Sequence, residues 1–245
     1  MLEICCYGDD DLNRAQRFGA QRIELCFARQ EGGLTPSFGL MQLATRLNIP
    51  VMVMIRPRGG DFCYSSGDLF QMCEDIAQVK ALHLSGVVIG ALTTDGQIDV
   101  AAMGQLLEAA QRLEVCFHRA FDMTQDPIAC YQQLAKLGVS RVLTSGQQST
   151  AGAGVELIKQ LVALDGPVVM AGGGVRAATI ARLLEAGVRE FHSSASVIKP
   201  SVMRFMNRQV FMGAAGQDEY QRYEIAEDEV VKMRAILDKA TTESR

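Results

Sequence analysis

The segment Arg56-Pro-Arg-Gly-Gly-Asp-Phe-Cys-Tyr64 sets two arginines, Arg56 and Arg58, around a proline and just ahead of a Gly-Gly turn. Guanidinium forks so spaced suit bidentate capture of a carboxylate or phosphate; the competing reading is a surface loop with solvated arginines. A second segment, Ala171-Gly-Gly-Gly-Val175, offers Gly172, Gly173 and Gly174, whose backbone can approach an anion closely, and His192-Ser193-Ser194 adds hydroxyls to the same anion-binding set. Thr144-Ser145-Gly146 is positioned to join it, and a plain tight turn is the alternative for the triplet. His118, followed by Arg119 and Asp122, reads either as a general acid or base oriented by a carboxylate or as a hydrogen-bonded core histidine. With Glu24, Arg56 and His192 it makes up the expected catalytic set.

These groups need a scaffold, and eight short apolar runs supply one: Leu2–Tyr7, Arg22–Cys26, Val51–Arg56, Val87–Leu92, Val115–Asp122, Arg141–Ser145, Val168–Ala171 and Glu190–Ser194. Their Val, Ile and Phe content marks buried strands. Helical periodicity lies between them. Asp126 caps a helix with Pro127 at its first position, Ile128, Tyr131, Leu134 and Leu137 form its stripe, and Gly138 ends it. A weak repeat supports the register: Gly19-Ala-Gln-Arg22-Ile, Gly138-Val-Ser-Arg141-Val and Gly187-Val-Arg-Glu190-Phe each read as helix end, turn, strand start. Alternation of this kind demands parallel strands, and eight units predict an α/β fold, a single (β/α)8 TIM barrel over residues 1–245 with an elaborated last βα unit. An open doubly wound sheet is the runner-up, weakened because no G-x-G-x-x-G follows the first strand. Residues 197–222 read as irregular, and a final amphipathic helix is expected from about Ala226 to Ala240.

Strand alternation assigns side chains to the barrel interior. Val51, Val53 and Ile55 suit the helix side, leaving Met52, Met54 and Arg56 inside; likewise Glu3 and Cys5, Arg22, Glu24 and Cys26, Cys116 and His118, and, with Phe191 outward, His192 and Ser194. An interior so polar implies either an ion-pair layer, such as Arg56 with Glu24, or a ligand site. Glu3, Arg22 and Glu190 stand at strand beginnings, the face that serves stability in such barrels. Cys73 and Cys130 read as helix packing, and Met203, Met206 and Met212 as adaptable packing in preference to thioether copper ligands.

Composition narrows the partners. Asp and Glu outnumber Lys and Arg, 28 to 24, and Trp is absent with aromatics at 6%, so no basic field or stacking platform for nucleic acid exists. Apolar runs are too short to span a membrane and no leader segment precedes Leu2, which predicts a cytoplasmic protein. Seven cysteines without C-x-x-C spacing are then expected as reduced thiols.

Leu2-Glu-Ile-Cys-Cys6, Arg22-Ile-Glu-Leu-Cys26, Glu31-Gly-Gly-Leu-Thr-Pro-Ser37, Ile55 to Tyr64, Phe117-His-Arg-Ala-Phe-Asp122, Arg141 to Gly146 and Met170 to Val175 resemble the CutC family over nearly the whole chain. The resemblance implies a cytosolic TIM barrel, a link to copper homeostasis, and Cu(I) held by Cys5 and Cys26 as the metal-binding pair. Adjacent strands lie ~4.8 Å apart, so two inward thiolates there can meet one soft cuprous ion. The competing function is an enzyme acting on a small anionic or phosphorylated metabolite. Expected partners are accordingly a copper ion or a small anion, and a homodimer or higher oligomer, with no nucleic acid and no membrane.

Overall fold

Parallel strands of four or five residues, each followed by a helix, set the frame in a computed structural model that describes residues 1–210, 212–213 and 218–243. In chain order these are β1 (Leu2–Cys6), α1 (Asp9–Arg17), β2 (Arg22–Leu25), α2 (Phe38–Ala44), β3 (Val51–Met54), α3 (Ser66–Ala81), β4 (Gly86–Ile89), α4 (Val100–Ala109) and β5 (Glu114–Phe117). There follow α5 (Pro127–Lys136), β6 (Arg141–Thr144), α6 (Val155–Val162), β7 (Val168–Ala171), α7 (Ala177–Glu185) and β8 (Glu190–Ser193). The eight strands close in sequence order, β8 pairing back onto β1 through Glu3 beside His192 and Ile4 beside Ser193. The fold is therefore a (β/α)8 barrel. No helix among the described residues is long and apolar enough to cross a membrane.

Local chemistry accounts for the punctuation. Asp126 Oδ1 accepts from the Ala129 amide at 3.0 Å with Pro127 at the first helical position, and α3 starts on a capping box between Ser65 and Asp68. The repeated helix-end glycines, Gly19, Gly138 and Gly187, all have positive φ (99°, 75° and 91°), the left-handed turn a side chain resists.

Inward parity falls as alternation requires. Val51, Val53 and Ile55 join the core between barrel and helices, while Cys5, Cys26, Met52, Met54, Val88, Cys116, Leu143 and Met170 pack together inside the barrel. At the strand beginnings Arg22 bonds Glu3 and, at 2.5 Å, Glu190; Arg141 bonds Glu190 at 3.1 Å and Glu114 at 2.8 Å. This ion layer ties β1, β2, β5, β6 and β8 below the site.

Two expectations need correction. Residues 197–222 are not wholly irregular: β9 (Ser196–Pro200) and β10 (Gln221–Ile225) pair antiparallel, with Ile225 beside Ser196 and Gln221 beside Pro200. Both strands are largely solvent-exposed, so no buried face imposes a two-residue hydrophobic period. Met203, Met206 and Met212 do not pack inward either; on this arm they are exposed. The last helix, α8, runs Glu227–Glu243, starting where expected and continuing past the expected end at Ala240.

Candidate functional site

The C-terminal ends of the strands surround one cavity of about 320 Å³, and Glu24, Arg56, His118 and His192 all line it. At its floor Cys5 Sγ lies 3.7 Å from Cys26 Sγ and 3.2 Å from Glu24 Oε2. Glu24 Oε2 also sits 3.3 Å from Cys26 Sγ and 3.7 Å from His192 Nε2. The donor atoms of Cys5, Glu24 and His192 fall within 4.8 Å of one another, a separation at which they could hold a metal ion. This closeness follows from register: Cys5 pairs with Glu24 across β1 and β2, and the barrel closure brings β8 to the other side of β1. Cys5 faces the cavity, while Cys26 lies under Gly33, where a Cβ would come within 3.1 Å of its sulfur.

The ion layer reaches this cluster through Glu3, whose Oε1 is 2.8 Å from His192 Nδ1. That leaves Nε2 of His192 toward Glu24, the arrangement in which an outer carboxylate orients a ligating imidazole. Burial alone would raise the Glu3 carboxyl, but the His192 hydrogen bond and the Arg22 charge overcome it and hold Glu3 down at about 2. Burial would lower His192; the Glu24 charge, Cys5 and Glu3 outweigh it and hold the imidazole well above its usual value. Burial pushes Glu24 well up, and the Cys26 hydrogen bond pulls the Cys5 thiol well down.

His118 forms one wall. Its Nδ1 accepts the Ala120 amide at 3.2 Å, so the ring proton resides on Nε2, which is buried and meets no partner among the described residues. Burial, with the Arg56 charge, lowers its pKa to about 3. Gly90 makes room for the ring: a Cβ there would stand 2.6 Å from Cε1. Asp122 does not orient His118. It accepts from Thr144 Oγ1 at 2.5 Å, the Ser145 amide at 3.0 Å and Arg119 Nε at 2.7 Å, because Arg119–Met123 turn as a 3-10 helix away from the histidine.

Arg56 and Glu24 form no ion pair. The Arg56 guanidinium bonds the carbonyls of Glu31, Gly33 (3.2 Å) and Gly60 (2.9 Å), stitching the loops after β2 and β3 together. Arg58 lies outside the cavity lining, drawn to Asp61 at 3.0 Å, Asp68 at 3.5 Å and the Cys63 carbonyl. Of the glycine triplet, Gly173 and Gly174 line the cavity, whereas the Gly172 amide serves the sheet through the Thr144 carbonyl. Ser193 is also spoken for, since its hydroxyl donates to the Val175 carbonyl at 2.7 Å and accepts the Ala195 amide. Ser194 lines the cavity. The first amide of α7, at Ala177, is capped by Glu229 of α8 at 2.8 Å, so that helix start already holds a carboxylate.

Sequence reasoning missed Arg29, Arg176 and Tyr7, which also line the cavity. Arg29 and Arg176 are basic residues in loops that follow β2 and β7, and that position was the available signal.

Comparisons with known proteins place the chain in a family. The profile of the CutC family matches residues 1–197. A "family protein CutC" of Salmonella heidelberg is 49% identical over 240 residues, 97% of each chain, and one of Klebsiella pneumoniae is 48% identical over the same length and coverage. The crystal structure of the putative copper homeostasis protein CutC from Streptococcus agalactiae superposes with a TM-score of 0.75 at 36% identity, covering 79% of this chain and 98% of that one. Thiamine phosphate pyrophosphorylase from Pyrococcus furiosus (TM-score 0.61, 14% identity, 97% and 95% coverage) shares the fold alone.

Proposed function

The chain belongs to the CutC family, and from that premise we propose that it binds Cu(I) at Cys5 and Cys26, with His192 and Glu24 as the neighbouring donors. The observation that carries the reading is the pair of sulfurs 3.7 Å apart, Cys5 lining the cavity with the His192 imidazole within 4.8 Å of it and Cys26 behind it. Metal–sulfur bonds of about 2.3 Å reach across that gap without moving a strand. Two thiols and an imidazole are soft enough for a cuprous ion. The buried Glu24 Oε1, unpartnered among the described residues, adds a spare donor. Glu3 would fix the ring of His192 from behind. A reducing cytosol suits this role, because two thiols this close stay open to Cu(I) there instead of oxidising to each other.

The test is a Cu(I) competition titration of the wild type, Cys5→Ser, Cys26→Ser and Cys73→Ser. Each of the first two lowers affinity by more than the 10–100-fold or so typical of outer-shell losses, and Cys73→Ser leaves it unchanged. Wild-type affinity in both Cys5→Ser and Cys26→Ser removes the site.

A second reading, catalysis on a small anionic metabolite, is favoured by one observation: a carboxyl held up by burial, Glu24, and a neutral imidazole, His118, face the same space. Self-assembly is also part of the proposal. The β9–β10 arm exposes Val202, Phe205 and Met212 at 78%, 77% and 87%, an apolar surface suited to a second copy.

A further inference from the structure

Around the cavity the positive charge is not balanced. Arg29, Arg56 and Arg176 have no carboxylate within 4.0 Å among the described residues, although the chain as a whole carries a net charge of -4. Two of them share a partner. Arg29 Nη1 donates to Ser196 Oγ at 3.1 Å and Arg176 Nη2 to the Ser196 carbonyl at 3.0 Å, so both guanidiniums converge on one residue at the root of the arm. Arg29 is further fixed between two rings, 4.1 Å from the centroid of Tyr7 and 4.7 Å from that of Tyr223. Two guanidiniums that share one partner beside a cavity repel each other, and an anion between them turns that repulsion into attraction, while the rings hold Arg29 in place.

The unpartnered atoms point the same way. Six buried side-chain polar atoms lack a hydrogen-bond partner among the described residues, and four of these, Glu24 Oε1, Arg29 Nη2, Arg56 Nε and His118 Nε2, belong to residues lining this one cavity. Native interiors rarely leave such groups unpaired, and three of the four are donors. Beside the arginines, Ser194 and the Gly173 and Gly174 backbone complete the rim.

We propose that this cavity binds a small organic oxyanion, its charged oxygens on Arg29 and Arg176 and a second, hydroxyl or carbonyl oxygen accepting from Nε2–H of His118. The ligand chemistry is a carboxylate or phosphate monoester with an oxygen a few bonds away. The volume, about 320 Å³, is at the small end for metabolite sites and excludes large ligands. His118 suits its part because the Ala120 amide fixes the proton on Nε2 and the ring stays neutral. The proposal deepens the second, catalytic reading by naming the ligand, and it requires neither copper nor turnover.

The experiment is isothermal titration of the metal-free full chain with D-glycerate, glycerol 3-phosphate, inorganic phosphate and glycerol. One or both organic anions bind with unit stoichiometry and glycerol does not; the tighter of the two identifies the charged head as carboxylate or phosphate. Arg29→Met and Arg176→Met each weaken that binding at least tenfold, while Arg46→Met, an exposed control, leaves it unchanged. His118→Asn, which can still accept the Ala120 amide but lacks the distal N–H, weakens the organic anions and spares inorganic phosphate. Should an arginine variant fail to fold, phenylglyoxal labelling of the wild type decides: the bound anion protects Arg29 and Arg176 from modification. No binding by any anion, or binding retained in both arginine variants, overturns the proposal. Binding without any chemical change of the ligand defeats the catalytic reading alone, and Cu(I) affinity is scored separately.

Discussion

Replacing His118 with asparagine should flatten the acid sensitivity of this protein. The ring is buried and its pKa drops from 6.5 to about 3 through burial and the nearby Arg56 charge. An unfolded chain takes up this proton as pH falls below the ordinary histidine value; the folded chain does not until about 3. The neutral ring therefore contributes stability that is complete above about pH 6.5 and drains away as pH falls toward about 3. At 1.36 kcal/mol per unit the whole window is worth about 5 kcal/mol, and by about pH 4.5 roughly 2–3 kcal/mol of it is gone. Asparagine can keep the Ala120 amide satisfied and has nothing to titrate. It loses the ring's contact with Phe62, 4.9 Å between centroids, but that loss is the same at every pH. Urea unfolding of both proteins at about pH 7 and about pH 4.5 is the assay, since carboxylates common to both cancel in the difference. The wild-type advantage should shrink by about 2–3 kcal/mol between the two conditions. An advantage that stays constant would refute the argument that His118 is buried neutral.

Three further outcomes follow from the packing. Arg22→Met leaves buried Glu3 and half-buried Glu190 without their shared cation and should cost about 3–5 kcal/mol in denaturant unfolding; a loss under about 1 kcal/mol would show that the ion layer is dispensable. Gly86→Ala places a Cβ 2.4 Å from the Glu114 carbonyl and 2.7 Å from Met52 Sδ, and because one neighbour is backbone the thermal midpoint should fall by several degrees. Changing Val202 and Phe205 to serine should convert the assembled protein to monomer in light scattering with the barrel intact, whereas a wild type already monomeric at high concentration ends the self-assembly reading.

The barrel was legible because its strands are buried on the helix side by branched residues: Val51, Val53 and Ile55 alone assign Met52, Met54 and Arg56 to the interior. Parity, however, says nothing of height. Met52 is the residue beside Glu24, so Arg56 stands two inward positions further along and reaches loop carbonyls instead of that carboxylate. Strand length was overread past the ladder from His118 to Asp122, where buried Ala120 and Phe121 follow the strand, and the 3-10 turn there sends Asp122 to the end of β6. The convergence of Arg29 and Arg176 was not readable at all, because Ser196, which holds both, belongs to an arm whose exposed strands carry no hydrophobic pattern.

The seam between β1 and β8 has a consequence for how the chain is made. Cys5, Glu24 and Cys26 belong to the first strands synthesised, while His192 lies 166 residues beyond Cys26 (192 minus 26) on the last strand of the barrel. At about 5–20 residues per second, the two thiols wait roughly 10–30 s for the imidazole and the closing strand that will bury them. During that interval the nascent chain presents a thiol pair with no wall around it, open to any thiophilic ion or oxidant near the ribosome. The last strand thus acts as a stopper, and these sulfurs are most open to reaction while the protein is still half-born.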